Sequence, residues 1–237
     1  MPVRPFFLFF AASGFASLVY EVVWLRMAMA EFGVTSALTA IVLSVFMAGL
    51  ALGSFGAGRL ARRLGWDEDG RAALRAYGVV ELLIGVSALA VPWALRAGHG
   101  VLVAGAESVS WGSGTYHLVS GLWIAVALLP SAALMGATFP TAMAALRVGG
   151  VGERSFSYLY LANVLGALIG TVASGFVLIE LLGFSRTASV AVPLNLAVGG
   201  GALALAFGLP RSTSAKARGE RPRSEAAAGS DARGAPA

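Results

Sequence analysis

Apolar residues fill most of the chain from Phe6 to Leu209, in long stretches separated by short polar connections. A helix that crosses the hydrocarbon core of a bilayer needs about 20 predominantly apolar residues, because each residue advances about 1.5 Å across roughly 30 Å. The stretches that meet this requirement are residues 6–30, 36–60, 74–95, 118–146, 155–182 and 187–209. The pattern therefore predicts an all-α polytopic membrane protein with six transmembrane helices.

The composition points the same way. Hydrophobic residues make up 57% of the chain and charged residues only 12%, with a mean hydropathy of +0.79. This charged share is about half that of a soluble globular domain, which could not bury so much apolar surface. The chain has no cysteine, so disulfides, thiolate metal sites and cysteine nucleophiles are excluded.

Lys and Arg residues are concentrated in alternate connections. All but three of the 17 precede the first stretch, lie in the second or fourth connection, or follow the sixth stretch; the exceptions are Arg26, Arg96 and Arg186. By the positive-inside rule, this bias places both termini on the cytoplasmic side of the inner membrane, as an even number of spans requires. The net charge of +5 then suits anionic lipid rather than nucleic acid.

Two further regions follow from composition. Residues 1–209 form the predicted transmembrane domain, and residues 210–237 are rich in Arg, Ser, Glu, Gly, Ala and Pro, which predicts a disordered basic cytoplasmic tail.

The connection at 96–117 is too short to span, so we expect an interfacial or re-entrant loop. It holds the only histidines, His99 and His117, which without nearby carboxylates predict no metal site. No motif indicates a cofactor.

Glycines in the second and fifth stretches share one spacing. Gly49 and Gly53 recur 117 residues later as Gly166 and Gly170. Such small-xxx-small steps let helices approach closely, so we expect helix packing at all four. Because the two stretches would cross in opposite directions, the spacing also predicts a 3+3 inverted repeat. With 31 glycines in the chain, coincidence is the alternative.

Intramembrane ionisable residues are candidates for function, because a charge in hydrocarbon is costly unless it is paired or faces water. Glu21 lies in the first stretch next to Tyr20, and it either faces a polar cavity or reaches the outer interface beside Trp24. Glu81 lies in the third stretch, where it either forms a structural ion pair with Arg59 or binds a cation or proton from a cavity.

Further polar residues lie inside the stretches. Asn163 in the fifth stretch is the one that we add to Glu21, Tyr20 and Glu81 as a candidate for solute binding. Residues of this type also join helices to one another, which is the alternative reading for Asn163.

Several segments together resemble the membrane portion of the fused major-facilitator-like and spermidine-synthase-like proteins of bacteria. They are SGFASLVYEVVWLR at 13–26, FMAGLALGS at 46–54, GRLA at 58–61, LMGATFP at 134–140 and YLANVLGA at 160–167. The resemblance implies a half-major-facilitator-like helical bundle that is normally followed by a Rossmann-like aminopropyltransferase domain. No counterpart of that catalytic domain is recognised up to Ala237, so we expect no enzyme activity from this chain.

The leading functional hypothesis is a transporter-like inner-membrane module. It would bind or move a small solute, with a polyamine-like cation favoured, as a homodimer and beside a separately encoded spermidine-synthase-like protein. The alternatives are a non-transporting membrane anchor for an aminopropyltransferase-like enzyme and a truncated relic of a fused protein.

Overall fold

The computed structural model describes residues 4–66, 68–105, 109–148 and 153–208. These residues contain no β-strand and form six α-helices. The helices are α1 (Arg4–Phe32), α2 (Ser36–Leu64), α3 (Gly70–Ala104), α4 (Gly114–Val148), α5 (Glu153–Ala173) and α6 (Ile179–Gly208), with a π-helical turn at Ser174–Leu178 between the last two. The predicted tail at 210–237 lies outside the described residues.

Five helical runs among these residues are long and apolar enough to cross a membrane. Four of them correspond to α1 to α4. The fifth, Phe156–Gly208, is 53 residues long and contains most of α5, the π-helical turn and α6. Its helical backbone is interrupted at Gly183, where φ is 74° and ψ is 173°. Glycine adopts a positive φ without the strain that a side chain would cause.

Contacts on the two sides of Gly183 show that the chain reverses there. Before it, α5 runs parallel to α1, since Ala11 meets Gly166 and Phe15 meets Gly170.

After Gly183, α6 runs antiparallel to α3. Gly78 lies against Gly199 of α6, whereas Gly85, further along α3, lies against the earlier Asn195. Helices α1 and α3 are themselves parallel. Phe10 stacks on Tyr77 near their starts, and the Glu31 carbonyl oxygen lies 2.6 Å from His99 Nδ1 near their ends. It follows that α5 and the later part of α6 point in opposite directions.

Helices α2 and α4 also run parallel, and glycines lie where they meet. Gly49 and Gly53 of α2 lie against Ala132 and Ala133 of α4, so close that an added Cβ would overlap them. Without a side chain, the two backbones approach and gain van der Waals contact, which is a main source of helix association in lipid.

The α1–α5 contact is built in the same way. Gly166 and Gly170 of α5 meet the backbone of α1 at Ala11 and Phe15, and Gly14 of α1 meets Asn163. The four glycines with the shared spacing thus all lie at helix contacts.

The third and fourth helices are longer than the sequence predicted. The Asp69 carboxylate accepts hydrogen bonds from the backbone N–H groups of Arg71 and Ala72, 2.9 and 3.3 Å away, and so starts α3 before residue 74. At its other end α3 continues through residue 104 rather than ending at 95, and α4 begins at Gly114. The expected loop at 96–117 is therefore helical over much of its length.

The prolines of α4 do not end that helix. Pro130 and Pro140 lie inside it. The Thr141 hydroxyl lies 2.8 Å from the carbonyl oxygen of Ala137, and so supplies a donor next to Pro140, which has no N–H. Side-chain donors of this kind allow proline inside membrane helices.

Candidate functional site

A cavity of about 450 Å³ lies between the α1–α5 pair and the α2–α4 pair. Its wall is mostly apolar or aromatic, with Phe46, Leu50, Met135 and Phe139 among the lining residues. Ligand sites in proteins are commonly about 300–1,000 Å³, with a mostly apolar wall and a few placed polar groups. The volume and the wall of this cavity fit that description.

The polar groups of the cavity wall come mainly from one face of α1. Ser13, Ser17 and Glu21 are spaced four residues apart, which aligns them along a helix, and all three line the cavity. Among the described lining residues, Glu21 is the only one with a formal charge. Its half-buried side chain forms no hydrogen bond or ion pair with any residue that the structure describes.

Helices α4 and α5 add further polar groups to the cavity wall, among them Thr138 and Asn163. Asn163 is fixed in place because its Nδ2 donates a hydrogen bond to the Phe10 carbonyl oxygen at 3.1 Å. The Tyr160 ring packs edge to face against Phe139, with ring centroids 6.0 Å apart. A cavity whose wall holds both aromatic rings and a carboxylate suits a ligand with apolar segments and positive charge.

A hydrogen-bonded network lies on the far side of α1 from the cavity, among α1, α3 and α6. Asn195 Nδ2 donates to Glu81 Oε2 at 2.7 Å, and the Tyr20 hydroxyl donates to Asn195 Oδ1 at 3.0 Å. All three side chains are fully buried, at 0% exposure. Buried polar groups need such partners, since an unpaired one is costly in a low-dielectric interior.

One edge of the network is incompletely paired. Ser13 and Tyr77 face the Glu81 carboxyl from α1 and α3, and both also line the cavity. Yet Glu81 Oε1 and the Tyr77 hydroxyl, although buried, make no hydrogen bond of good geometry. One oxygen of the Glu81 carboxyl is therefore left without a hydrogen bond, on a carboxyl that two residues of the cavity wall face.

The expected ion pair between Arg59 and Glu81 does not form. Arg59 is exposed, and its guanidinium carbon lies 5.5 Å from the centre of the Phe55 ring. The physical reason is the helix arrangement: α2 packs against α4 rather than α3, and Glu81 faces α1 and α6 instead.

The four candidates for solute binding thus divide into two groups. Glu21 and Asn163 line the cavity, whereas Tyr20 and Glu81 belong to the buried network. The candidates from the sequence do not include Asn195 of the network, nor Ser13, Ser17 and Tyr77 of the cavity wall. The four-residue spacing of Ser13, Ser17 and Glu21 was the available signal for the polar face of α1.

The described residues contain no group of three or more His, Asp or Glu side chains that could hold a metal ion. What the cavity offers to a ligand is one carboxylate, several hydroxyls, one amide and aromatic faces. Comparison of the chain with known protein families, with curated proteins and with solved structures gives no match.

Proposed function

We propose that this chain is a transporter-like membrane module that binds a small organic cation, of the polyamine class, in the cavity between the α1–α5 and α2–α4 pairs. The observation that carries the proposal is the Glu21 carboxylate, which lines that cavity without a partner among the described residues.

Energetics favour a cationic ligand at this position. A carboxylate near the centre of a membrane helix costs about 3 kcal/mol or more unless it is paired or solvated. Among the described residues, no Lys or Arg lines the cavity. A bound ammonium group would supply the missing counter-charge at Glu21.

The remainder of the wall suits the alkyl part of a polyamine. Methylene groups pack favourably against Leu50 and Met135, and a second ammonium group could lie over the face of Phe139 or Tyr160. A cation over an aromatic ring gains about 0.5–2 kcal/mol, with the larger values at sites from which water is excluded. Asn163 and Thr138 offer hydrogen-bond acceptors to further N–H groups.

The proposal places the module in the inner membrane with six crossings and cytoplasmic termini. The chain reversal at Gly183 supports six crossings, because it divides the fifth apolar run into two segments of opposite direction. Arg62 and Arg147 lie together at one end of the bundle, whereas Arg96 lies beside α6 at the other. The positive-inside rule assigns the Arg62 end to the cytoplasm.

A 3+3 inverted repeat is part of the same proposal. Under an offset of 117 residues α1 corresponds to α4 and α2 to α5, so the α2–α4 pair corresponds to the α1–α5 pair. Both pairs are parallel and both are packed through glycines, which supports the repeat. Transporters built from inverted repeats bind their solutes near the repeat interface, where this cavity lies.

The first test measures spermidine binding by the detergent-purified chain and its exchange in proteoliposomes. Glu21→Gln should weaken binding by tenfold or more, because the amide removes the charge at nearly constant shape. Glu180→Gln is the matched control, since Glu180 is exposed and lies away from the cavity; it should bind like the wild type. Equal binding by wild type and Glu21→Gln would contradict the proposed site.

The partner and the homodimer rest on the resemblance to fused spermidine-synthase-like proteins and have a test of their own. Major facilitator pathways lie between two six-helix halves, which is why we propose that two copies associate. Mass measurement of the chain in lipid nanodiscs distinguishes one copy from two, and co-purification with an aminopropyltransferase-like protein tests the partner. Co-purification without any spermidine binding would favour the membrane-anchor alternative.

A further inference from the structure

We infer that Glu81 is a proton-binding site that exchanges its proton with the solute cavity through Ser13 and Tyr77. The site is built where α1, α3 and α6 meet. Such a site adds an energy-coupling group to the module, because a proton bound at Glu81 would weaken cation binding at Glu21, and a bound cation would weaken proton binding.

The hydrogen bonds of Glu81 leave one of its oxygens available. Tyr20 donates to Asn195 Oδ1, which fixes the amide so that Nδ2 faces Glu81 Oε2. An amide N–H can only donate, so Oε2 acts as an acceptor whether or not the acid is ionised. The proton of the neutral acid therefore belongs on Oε1, the buried oxygen that makes no other hydrogen bond.

Two hydroxyl groups lie between the Glu81 carboxyl and the cavity. Ser13 and Tyr77 face the Glu81 carboxyl and also line the cavity wall. A hydroxyl both donates and accepts, so when a side-chain rotation brings one within hydrogen-bond distance of Oε1 it can take that proton and pass its own proton on towards water in the cavity. The transfer conserves charge and leaves Glu81 as a carboxylate and the hydroxyl unchanged.

The surroundings favour a proton over a metal cation at this position. Hard cations such as Ca²⁺ and Mg²⁺ take about six or more oxygen ligands. Here one carboxyl oxygen and two hydroxyls are available as ligands, in a part of the bundle where Glu81 is 0% exposed.

Few charged groups surround Glu81, so a cation bound in the cavity should directly lower the affinity of Glu81 for a proton. Among the described residues, the other titratable groups facing it are Tyr20 from α1 and Tyr77 from α3. Asn195 from α6 is uncharged, and α4 presents no titratable side chain to the carboxyl. A cation in the cavity would thus stabilise the Glu81 carboxylate without a nearby basic side chain to mask the effect.

The first measurement does not depend on the proposed function. Infrared difference spectra of the full chain in lipid, recorded between acidic and alkaline buffer, should show loss of a protonated-carboxyl band on going to alkaline pH. Glu81→Gln should remove that band, and Glu180→Gln, at an exposed carboxyl outside the cavity, is the control that should retain it. If Glu81→Gln does not fold, Glu81→Asp should shift the band instead. A band that ignores pH, or that persists in Glu81→Gln, overturns the inference.

The second measurement, which rests on the proposed function, tests the coupling. Spermidine added to the wild-type chain in weakly buffered solution should release protons, and Glu81→Gln should lose this release. Binding without release would overturn the coupling while leaving the cation site intact. If the carboxyl band titrates but the chain binds no spermidine, the proton site is supported and the proposed function is contradicted.

Discussion

Two neighbouring residues of α1 belong to different environments. Tyr20 is fully buried in the Asn195–Glu81 network, whereas Glu21 lines the cavity. Successive residues of a helix point about 100° apart, so one helix can serve both regions. The pair therefore joins the cavity to the network over a single peptide unit.

Removing the Tyr20 hydroxyl tests the network at the residue scale. Tyr20→Phe keeps the stacking on Trp24, whose ring centroid is 5.2 Å away, but leaves Asn195 Oδ1 without its donor. We expect a loss of about 1 kcal/mol in stability, typical of a side-chain hydrogen bond between membrane helices. Thermal unfolding in detergent measures it. Tyr158→Phe, at an exposed tyrosine, is the control and should change little.

At the scale of the helices, two closely packed pairs determine the shape of the cavity. The α2–α4 and α1–α5 pairs are parallel, and each is drawn together by glycines whose missing side chains make room for the other backbone. The cavity lies between these pairs, so their close contact sets the positions of both of its walls.

Two glycines of α2 give a matched test of this packing. A Cβ on Gly53 would overlap the Ala133 backbone, so Gly53→Ala should destabilise the bundle by about 1–3 kcal/mol. A Cβ on Gly56 would meet nothing within 4 Å, so Gly56→Ala should be neutral or stabilising by up to about 1 kcal/mol. Thermal unfolding compares the two variants. Equal effects would show that the close contact of α2 with α4 at Gly53 does not determine the stability of the bundle.

At the scale of the whole molecule, the number of crossings decides which ends of the helices share a side of the membrane. Because the chain has no native cysteine, single cysteines can be labelled from outside the cell with a membrane-impermeant maleimide. Six crossings predict that Ser110→Cys and Ser185→Cys label and that Glu68→Cys does not. All three positions are exposed. Labelling at Glu68→Cys together with Ser185→Cys would contradict the proposed topology.

The sequence by itself determined that the chain is helical, with helices long and apolar enough to cross a membrane. Runs of about 20 or more apolar residues leave the backbone no partner in lipid except itself, and a helix satisfies that need locally. The apolar runs did not fix the helix ends, as α3 shows. Capping by Asp69 starts this helix at Gly70, and buried positions such as Leu102 continue it to Ala104. The spacing of Gly49, Gly53, Gly166 and Gly170 marked close contacts but not the partner helices.

Only the tertiary structure decided which polar side chains meet. Glu81 and Asn195 are 114 positions apart, and nothing local in the chain indicates that α6 rather than α2 brings the partner for Glu81. The rotation of α3 about its axis, set by packing against α1, α4 and α6 together, directs the carboxyl away from Arg59. Local periodicity fixes which residues share a helix face, whereas the neighbour of that face depends on how all the helices pack at once.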